Sequence, residues 1–184
     1  MLRTRRLRKF ARDWKYVPNR DVPIYSVTER VVNEEIINEF LDYCVAWCYK
    51  KFGEKPKVEL PFIEWDFNNR SYQRDGTLGE YDTIQNTIYL RITGHRNFYN
   101  LARTLIHEYV HYLQTEYSDQ LYTEYMKIYG YEDNPYEVEA VYISELYMVE
   151  CTKWVLTQMM DSIKKQQRKL RSYDKHKRKT SSRI

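Results

Sequence analysis

The sequence has few cysteines, few histidines and no long apolar run. Three cysteines among 184 residues are too few for a disulfide scaffold, so we expect a reducing compartment or an intracellular stage. No window is long and apolar enough to form a transmembrane helix. The basic N-terminal residues are not followed by an apolar stretch of signal-peptide length. We therefore expect an intracellular, cytoplasmic protein without a secretory signal peptide.

The chain also lacks repeats and low-complexity linkers, and its charge is segregated. Residues 1–20 hold eight Lys or Arg and one Asp, residues 164–184 hold ten and one, and the stretch between them holds 12 basic and 24 acidic residues. We predict one domain over residues 21–167, with a basic arm over residues 1–20 and a basic tail over residues 168–184. Such segments either bind nucleic acid or another acidic surface, or serve as solvated extensions, and the sequence leaves both open.

The basic arm has a further possible use. Leu7, Phe10, Ala11 and Trp14 could line one side of a short basic amphipathic helix. A transit peptide, or an arm that touches a membrane surface, is therefore another alternative.

Hydrophobic spacing predicts an α+β domain with an N-terminal helix, a short antiparallel-rich sheet and two later helices. The predicted elements are a helix over residues 28–51 that Gly53 stops, short strands over 57–62 and 63–67 interrupted by Pro61, a strand-turn-strand over 72–92, a helix over 97–117, a Tyr-rich connection over 118–133 and a long helix over 134–167. The long helix is apolar all round, which predicts that it is buried.

The scarce histidines point to a metal site. His107, Glu108 and His111 form an HExxH motif inside the helix predicted over residues 97–117. Residues four apart on a helix lie one turn above each other, so both imidazoles could reach one zinc ion. Glu108 could then act as general base on a water molecule and afterwards as proton donor to a leaving amine. The alternative is an amphipathic helix that carries these residues by coincidence.

Two histidines do not complete a zinc site, and the third ligand must be sought elsewhere. Cys44 and Cys48 are also four apart and could join the histidines in a structural site, although buried thiols are the simpler interpretation. A metzincin motif would place Gly at 114 and His at 117, but this chain has Gln114 and Tyr117. Because the metzincin histidine is absent, a carboxylate is the favoured third ligand.

The long helix predicted from Asn134 offers two carboxylates, Glu137 and Glu139, which point about 160° apart on the helical wheel. With Asn134 as N-cap and Pro135 at the first helical position, Glu137 could instead complete a capping box. The sequence leaves this choice open. Tyr131 and Tyr136 are the phenols nearest to this segment, and neither is assigned a role.

These residues resemble the gluzincin zinc metallopeptidases, in which the HExxH helix is followed by a helix that supplies a glutamate ligand. Glu137 and Ala140 match the Glu-x-x-Ala pattern of several such families, and the likeness covers about residues 78–150. The resemblance implies a zincin-like core in which His107, His111 and Glu137 bind one zinc ion and Glu108 is the catalytic base. By the same analogy, residues 87–92 would form an edge strand that pairs with an extended peptide substrate.

The sequence thus predicts a zinc-dependent peptidase that acts on a protein or peptide substrate. A non-catalytic alternative is an accessory or structural protein of a larger assembly, whose zincin-like core is retained while its basic tails bind nucleic acid or neighbouring subunits. The two can also combine, in a protease that its tails bring to nucleic-acid-bound proteins.

Overall fold

The computed structural model describes residues 34–66, 77–95, 97–114 and 119–181, and these form an α+β fold, as predicted. The helices are α1 (Glu34–Phe52), α2 (Phe98–Leu113), α3 (Asp119–Tyr129) and α4 (Pro135–Ser181), and a short 3-10 turn covers Ile92–Gly94. The strands are β1 (Phe62–Asp66), β2 (Gly79–Asp82) and β3 (Thr87–Arg91). In this part of the chain, no helix is long and apolar enough to cross a bilayer.

Helix α1 forms one side of the core. Its buried positions recur at three- and four-residue spacing, and they are Ile37, Phe40, Leu41, Cys44, Trp47 and Cys48. The helix ends at Gly53, as predicted, where the backbone is left-handed (φ 82°) and the Gly53 N–H donates to the Tyr49 carbonyl at 2.8 Å. Its predicted start at residue 28 lies outside the described residues.

The sheet has the strand order β1-β3-β2. Strands β2 and β3 form the predicted antiparallel hairpin, but β1 joins β3 in parallel, so the sheet is mixed. The prediction that residues 87–92 form an edge strand is wrong, because β3 pairs with a neighbour on each side. Four of the five residues of β3 are buried, as expected of a central strand. Among the described strands, the edges are β1 and β2.

One strand, β1, lies where the sequence predicts two short strands over residues 57–62 and 63–67, of which residue 67 is not among the described residues. Lys57 has a left-handed backbone (φ 66°) and the Val58 N–H donates to the Lys55 carbonyl at 3.2 Å, which makes a turn where the sequence predicts a strand. Pro61 has no N–H to contribute to a ladder. Pairing therefore begins only at Phe62, whose N–H donates to the Asn86 carbonyl at 3.0 Å.

Helix α2, which carries the HExxH motif, packs against α4, α1 and the sheet. The side chain of Asn97 caps it by accepting from the Asn100 N–H at 2.9 Å. The helix ends at Leu113 with Gln114 as its C-cap, and the rest of the predicted helix, residues 115–117, is not among the described residues.

A helix that the sequence analysis missed occupies the Tyr-rich segment. Helix α3 spans Asp119–Tyr129, and the Gly130 N–H closes it by donating to the Met126 carbonyl at 3.0 Å. Its half-buried side chains are spaced as one helical stripe, namely Leu121, Tyr122, Tyr125 and Met126. The spacing of these residues was the feature of the sequence that indicated a helix, but the many tyrosines of this segment made the apolar pattern hard to recognise.

Helix α4 begins as predicted, since the Asn134 side chain accepts from the Tyr136 N–H at 3.1 Å and Pro135 is the first helical residue. It runs to Ser181, beyond the predicted end at residue 167. The prediction that the helix is buried all round is wrong. One face is buried, at Ala140, Ser144, Cys151, Val155, Met159 and Ile163, whereas a second face exposes Val138, Tyr142, Leu146 and Val149.

Candidate metal centre

The HExxH motif lies in the second half of α2, where the helix faces β2 and the start of α4. The Nε2 atoms of His107 and His111 are 3.1 Å apart, and the two rings are nearly perpendicular. His111 is buried, whereas His107 is partly open to solvent. The one-turn spacing therefore brings two ring nitrogens to one point, as the sequence predicts.

The first turn of α4 adds a carboxylate at the same point. Glu137 Oε2 lies 3.2 Å from His107 Nε2, and Glu137 Oε1 lies 3.5 Å from His111 Nε2. In a tetrahedral zinc site with bonds of about 2.0–2.1 Å, neighbouring ligand atoms are about 3.3 Å apart. The three side chains match that spacing, and they are a group that could hold a metal ion.

The state of the Glu137 carboxylate also suits a metal. Glu137 is buried, and its Oε2 atom accepts no hydrogen bond from the described residues. Burial alone would raise the pKa of Glu137, but the adjacent imidazoles of His107 and His111 and the phenol of Tyr122 outweigh burial and hold the pKa well below its ordinary value. A buried, ionised oxygen without a donor, between two imidazoles, is a good ligand for a divalent cation.

The structure separates the two candidate carboxylates. Glu139 Oε2 accepts a hydrogen bond from Gln114 Nε2 at 3.0 Å and does not belong to the metal-holding group. The capping alternative for Glu137 loses its donor, since the Asn134 N–H donates to the Tyr131 carbonyl at 3.3 Å. Glu137 is therefore the carboxylate that joins His107 and His111.

Gln114 orients His111, a role that the sequence analysis missed. The Gln114 amide nitrogen donates to the Tyr136 carbonyl and to Glu139, so its Oε1 atom is the acceptor that lies 2.9 Å from His111 Nδ1. His111 must then carry its proton on Nδ1, which leaves the lone pair of Nε2 toward Glu137 and His107. Gln114, where a metzincin would have glycine, thus orients a side chain of the metal-holding group but does not itself belong to that group.

Glu108 lies in a cleft of about 290 Å³ that also holds the three side chains of the group. Glu108 is buried, and burial raises the pKa of its carboxyl group, although His107 and His111 act in the opposite direction. The wall beside it is Gly79 of β2, where an added Cβ would lie 2.6 Å from Thr104 Cγ2 and 2.9 Å from Glu108 Oε1. Strand β2 can therefore approach the motif helix only because residue 79 has no side chain.

Two of the three tyrosines that line the cleft, Tyr122 and Tyr131, come from α3 and the segment after it. Tyr122 of α3 donates to Glu137 Oε1 at 2.8 Å. Tyr131, in the connection that follows α3, lines the same cleft, and its pKa is raised by partial burial and by the charge of the Glu137 carboxylate. Tyr136 contributes its backbone carbonyl to Gln114, while its ring packs on Tyr125 at 5.4 Å between centroids. Of the two tyrosines that the sequence named without a role, Tyr131 lines this cleft, whereas Tyr122, 15 residues from Glu137, was not singled out.

The cysteines do not join the histidines. Cys44, Cys48 and Cys151 are fully buried between α1 and α4, where Cys44 Sγ lies 3.8 Å from Cys151 Sγ. Burial raises the pKa of the Cys44 and Cys48 thiols well above the ordinary value. They are neutral core residues, which agrees with the simpler interpretation of their sequence spacing.

Comparison with known proteins adds no further information about the centre. No protein-family model, curated protein or solved structure matches this chain.

Proposed function

We propose that this chain is a zinc-dependent peptidase of the zincin type, with His107, His111 and Glu137 as zinc ligands and Glu108 as the catalytic base. One observation carries the proposal: two imidazoles and a carboxylate meet at the spacing of a tetrahedral zinc site, with a further buried glutamate in the same cleft. Three protein ligands leave a fourth position for water, which is the pattern of catalytic rather than structural zinc.

The chemistry divides between the ion and the chain. Zinc would lower the pKa of a water molecule to about 7 and polarise the substrate carbonyl. Glu108 removes one proton from the attacking water, the C–N bond of the peptide breaks, and Glu108 delivers the proton to the departing amine. Gln114 and Tyr122 hold His111 and Glu137 in place throughout.

Strand β2 is the place for an extended substrate. It is a sheet edge among the described strands, and Gly79, Glu80 and Tyr81 line the cleft that contains Glu108. A peptide that pairs with this edge would place its backbone along the cleft without the need for a particular sequence. The resemblance suggested that β3 pairs with the substrate, but β3 has a neighbouring strand on each side, so we assign this pairing to β2.

The test is elemental analysis of protein purified without added metal, followed by hydrolysis of a quenched-fluorescence peptide library. We expect about one zinc per chain in the wild type. Zinc should be lost in His107→Ala and Glu137→Gln but retained in Glu108→Gln, which should lose hydrolysis alone. Glu139→Gln is the matched control for Glu137→Gln, because it makes the same change two residues away. Wild type without zinc, or Glu108→Gln with full activity, would refute the proposal.

A second candidate function is binding of nucleic acid or of another polyanion by the C-terminal tail. The observation that favours it is the course of α4, which continues as a helix to Ser181 through a segment rich in Lys and Arg. We expect salt-sensitive binding to a DNA duplex in the full chain, and weaker binding after removal of residues 168–184. Anisotropy of labelled DNA over a series of salt concentrations measures this, and equal binding by both proteins would exclude it.

A further inference from the structure

A second groove of about 400 Å³ runs along α4 beside the metal centre. We call it the α4 groove, and its lining residues are Tyr131, Glu132, Glu137, Val138, Val141, Tyr142 and Glu145. Tyr131 and Glu137 also line the cleft that contains Glu108. The two depressions therefore share a wall and are neighbours on the surface.

The α4 groove exposes apolar surface that no other described residue covers. Val138 and Tyr142 are one helical turn apart, and 50% and 66% of their surfaces are open to solvent. Leu146 and Val149 continue the same exposed face along α4. Contiguous apolar surface of this kind, with polar residues around it, is typical of a binding site.

The α4 groove is lined by acidic side chains. Among the described residues, its lining includes Glu132, Glu137 and Glu145 and no Lys or Arg. Arg103 pairs with Glu145 at 3.1 Å, and Glu137 is a proposed zinc ligand, so Glu132 is the carboxylate that remains to attract a cation. The lining of the neighbouring cleft likewise holds three glutamates and no Lys or Arg among the described residues. Glu137, whose buried Oε2 atom accepts no hydrogen bond from the described residues, lines both depressions. Surfaces of one charge favour partners of the other.

We infer that the α4 groove is a specificity site for a positively charged substrate segment that carries large apolar or aromatic side chains. An apolar side chain of the substrate packs between Val138 and Tyr142, and an Arg beside it pairs with Glu132 and lies against the ring of Tyr131 or Tyr142. As a statement about substrate the inference rests on the proposed peptidase function, but the binding itself requires no metal.

The first test compares three labelled peptides of equal length on the metal-free full-length protein, by fluorescence anisotropy at about 0.15 M salt. One peptide alternates Arg with Phe and Leu, one replaces each Arg by Glu, and one replaces each Phe and Leu by Ser. We expect the first to bind about tenfold more tightly than either of the others, because it alone satisfies both the charge and the apolar surface. Equal binding of all three peptides would overturn the inference.

The second test locates the binding. Tyr142→Ser and Glu132→Gln should each weaken the Arg-Phe-Leu peptide by about fivefold to tenfold. Ile84→Ser is the matched control for exposed apolar surface, since Ile84 is 87% exposed in the hairpin turn, and Asp161→Asn is the control for an exposed carboxylate at a distant point of α4. Wild-type affinity in both groove variants would place the peptide elsewhere and overturn the assignment.

A kinetic readout separates this inference from the proposed function. In zinc-loaded protein, Tyr142→Ser should raise KM for the cationic peptide while kcat and zinc content stay at wild-type values, because Tyr142 is not among the three residues that meet at the centre. A wild type without zinc or hydrolysis would refute the peptidase but leave the binding result intact. An active enzyme that does not distinguish the three peptides would refute only the specificity site.

Discussion

Single side chains of the candidate centre are held in place by partners that do not belong to the metal-holding group. Gln114 is the clearest case, because one amide group accepts from His111 and donates to both the Tyr136 carbonyl and Glu139. Gln114 thereby fixes the His111 tautomer. It also hydrogen-bonds Glu139, which was the alternative to Glu137 in the sequence. A polar residue at a helix C-cap thus determines which nitrogen of His111, and which of the two glutamates, is available to a metal ion.

Gln114→Leu should weaken zinc binding by about tenfold to a hundredfold, because His111 Nδ1 would lose its acceptor and the ring its fixed orientation. Competition with a chromophoric chelator measures the affinity. Gln120→Leu makes the same chemical change on the exposed side of α3 and should bind zinc as the wild type does. If the two variants behave alike, Gln114 has no orienting role.

Gly79→Ala should lower the free energy of unfolding by about 1–3 kcal/mol, because the added methyl group overlaps Thr104 and Glu108. Peptide hydrolysis should fall with it, since Glu108 must move. Thr104→Ser removes the methyl group that lies 2.6 Å away and keeps the hydroxyl. In urea titration, the double variant Gly79→Ala, Thr104→Ser should therefore be more stable than the sum of the two single losses predicts. If the two losses in free energy of unfolding simply add, the added methyl group does not collide with Thr104.

At the scale of elements, the position of α2 depends on contacts that join it to the sheet. His95 follows the turn after β3, and it lies 2.8 Å from the Arg91 carbonyl through Nδ1 and 2.9 Å from Thr104 Oγ1 through Nε2. The imidazole is buried and connects the end of β3 to the middle of α2, one turn before the HExxH motif. Burial lowers the pKa of His95, with a further contribution from the charge of Arg91.

This histidine predicts a loss of stability in mild acid. The unfolded chain takes up a proton on His95 near pH 6.5, whereas the folded chain does so only at lower pH, so unfolding is favoured as pH falls below 6.5. The loss from this residue is at most about 1.4 kcal/mol over the first pH unit. Urea titrations of metal-free wild type and His95→Gln at pH 7.5 and 5.5 measure it, and the wild type should lose more. Equal losses would show that His95 titrates normally.

At the scale of the whole molecule, the centre joins the two helices that organise the fold. Helix α2 supplies the histidines and packs on the sheet, while α4 supplies Glu137 from its first turn and packs along both α1 and α2. A metal ion held by Glu137 and the two histidines would therefore link the first turn of α4 to α2. Binding to the folded chain alone stabilises it by mass action.

Zinc at a hundredfold excess over its dissociation constant should raise the free energy of unfolding by about 2.7 kcal/mol, and removal with a chelator should reverse the gain. Thermal unfolding with and without zinc measures the shift. His107→Ala should show no zinc-dependent shift, whereas Glu139→Gln should respond as the wild type does. An equal zinc response in His107→Ala would mean that zinc stabilises the chain from another site.

The sequence by itself determined the local features: the motif helix, the β2–β3 hairpin and the start of α4, since periodicity and capping residues act over a few positions. It also brought His107 and His111 together, because one helical turn separates them. Only the tertiary structure chose Glu137 over Glu139, gave Gln114 its role, placed β3 in the centre of the sheet and exposed one face of α4. Those outcomes depend on how elements distant in sequence pack, and neither spacing nor propensity encodes the direction in which a side chain then points.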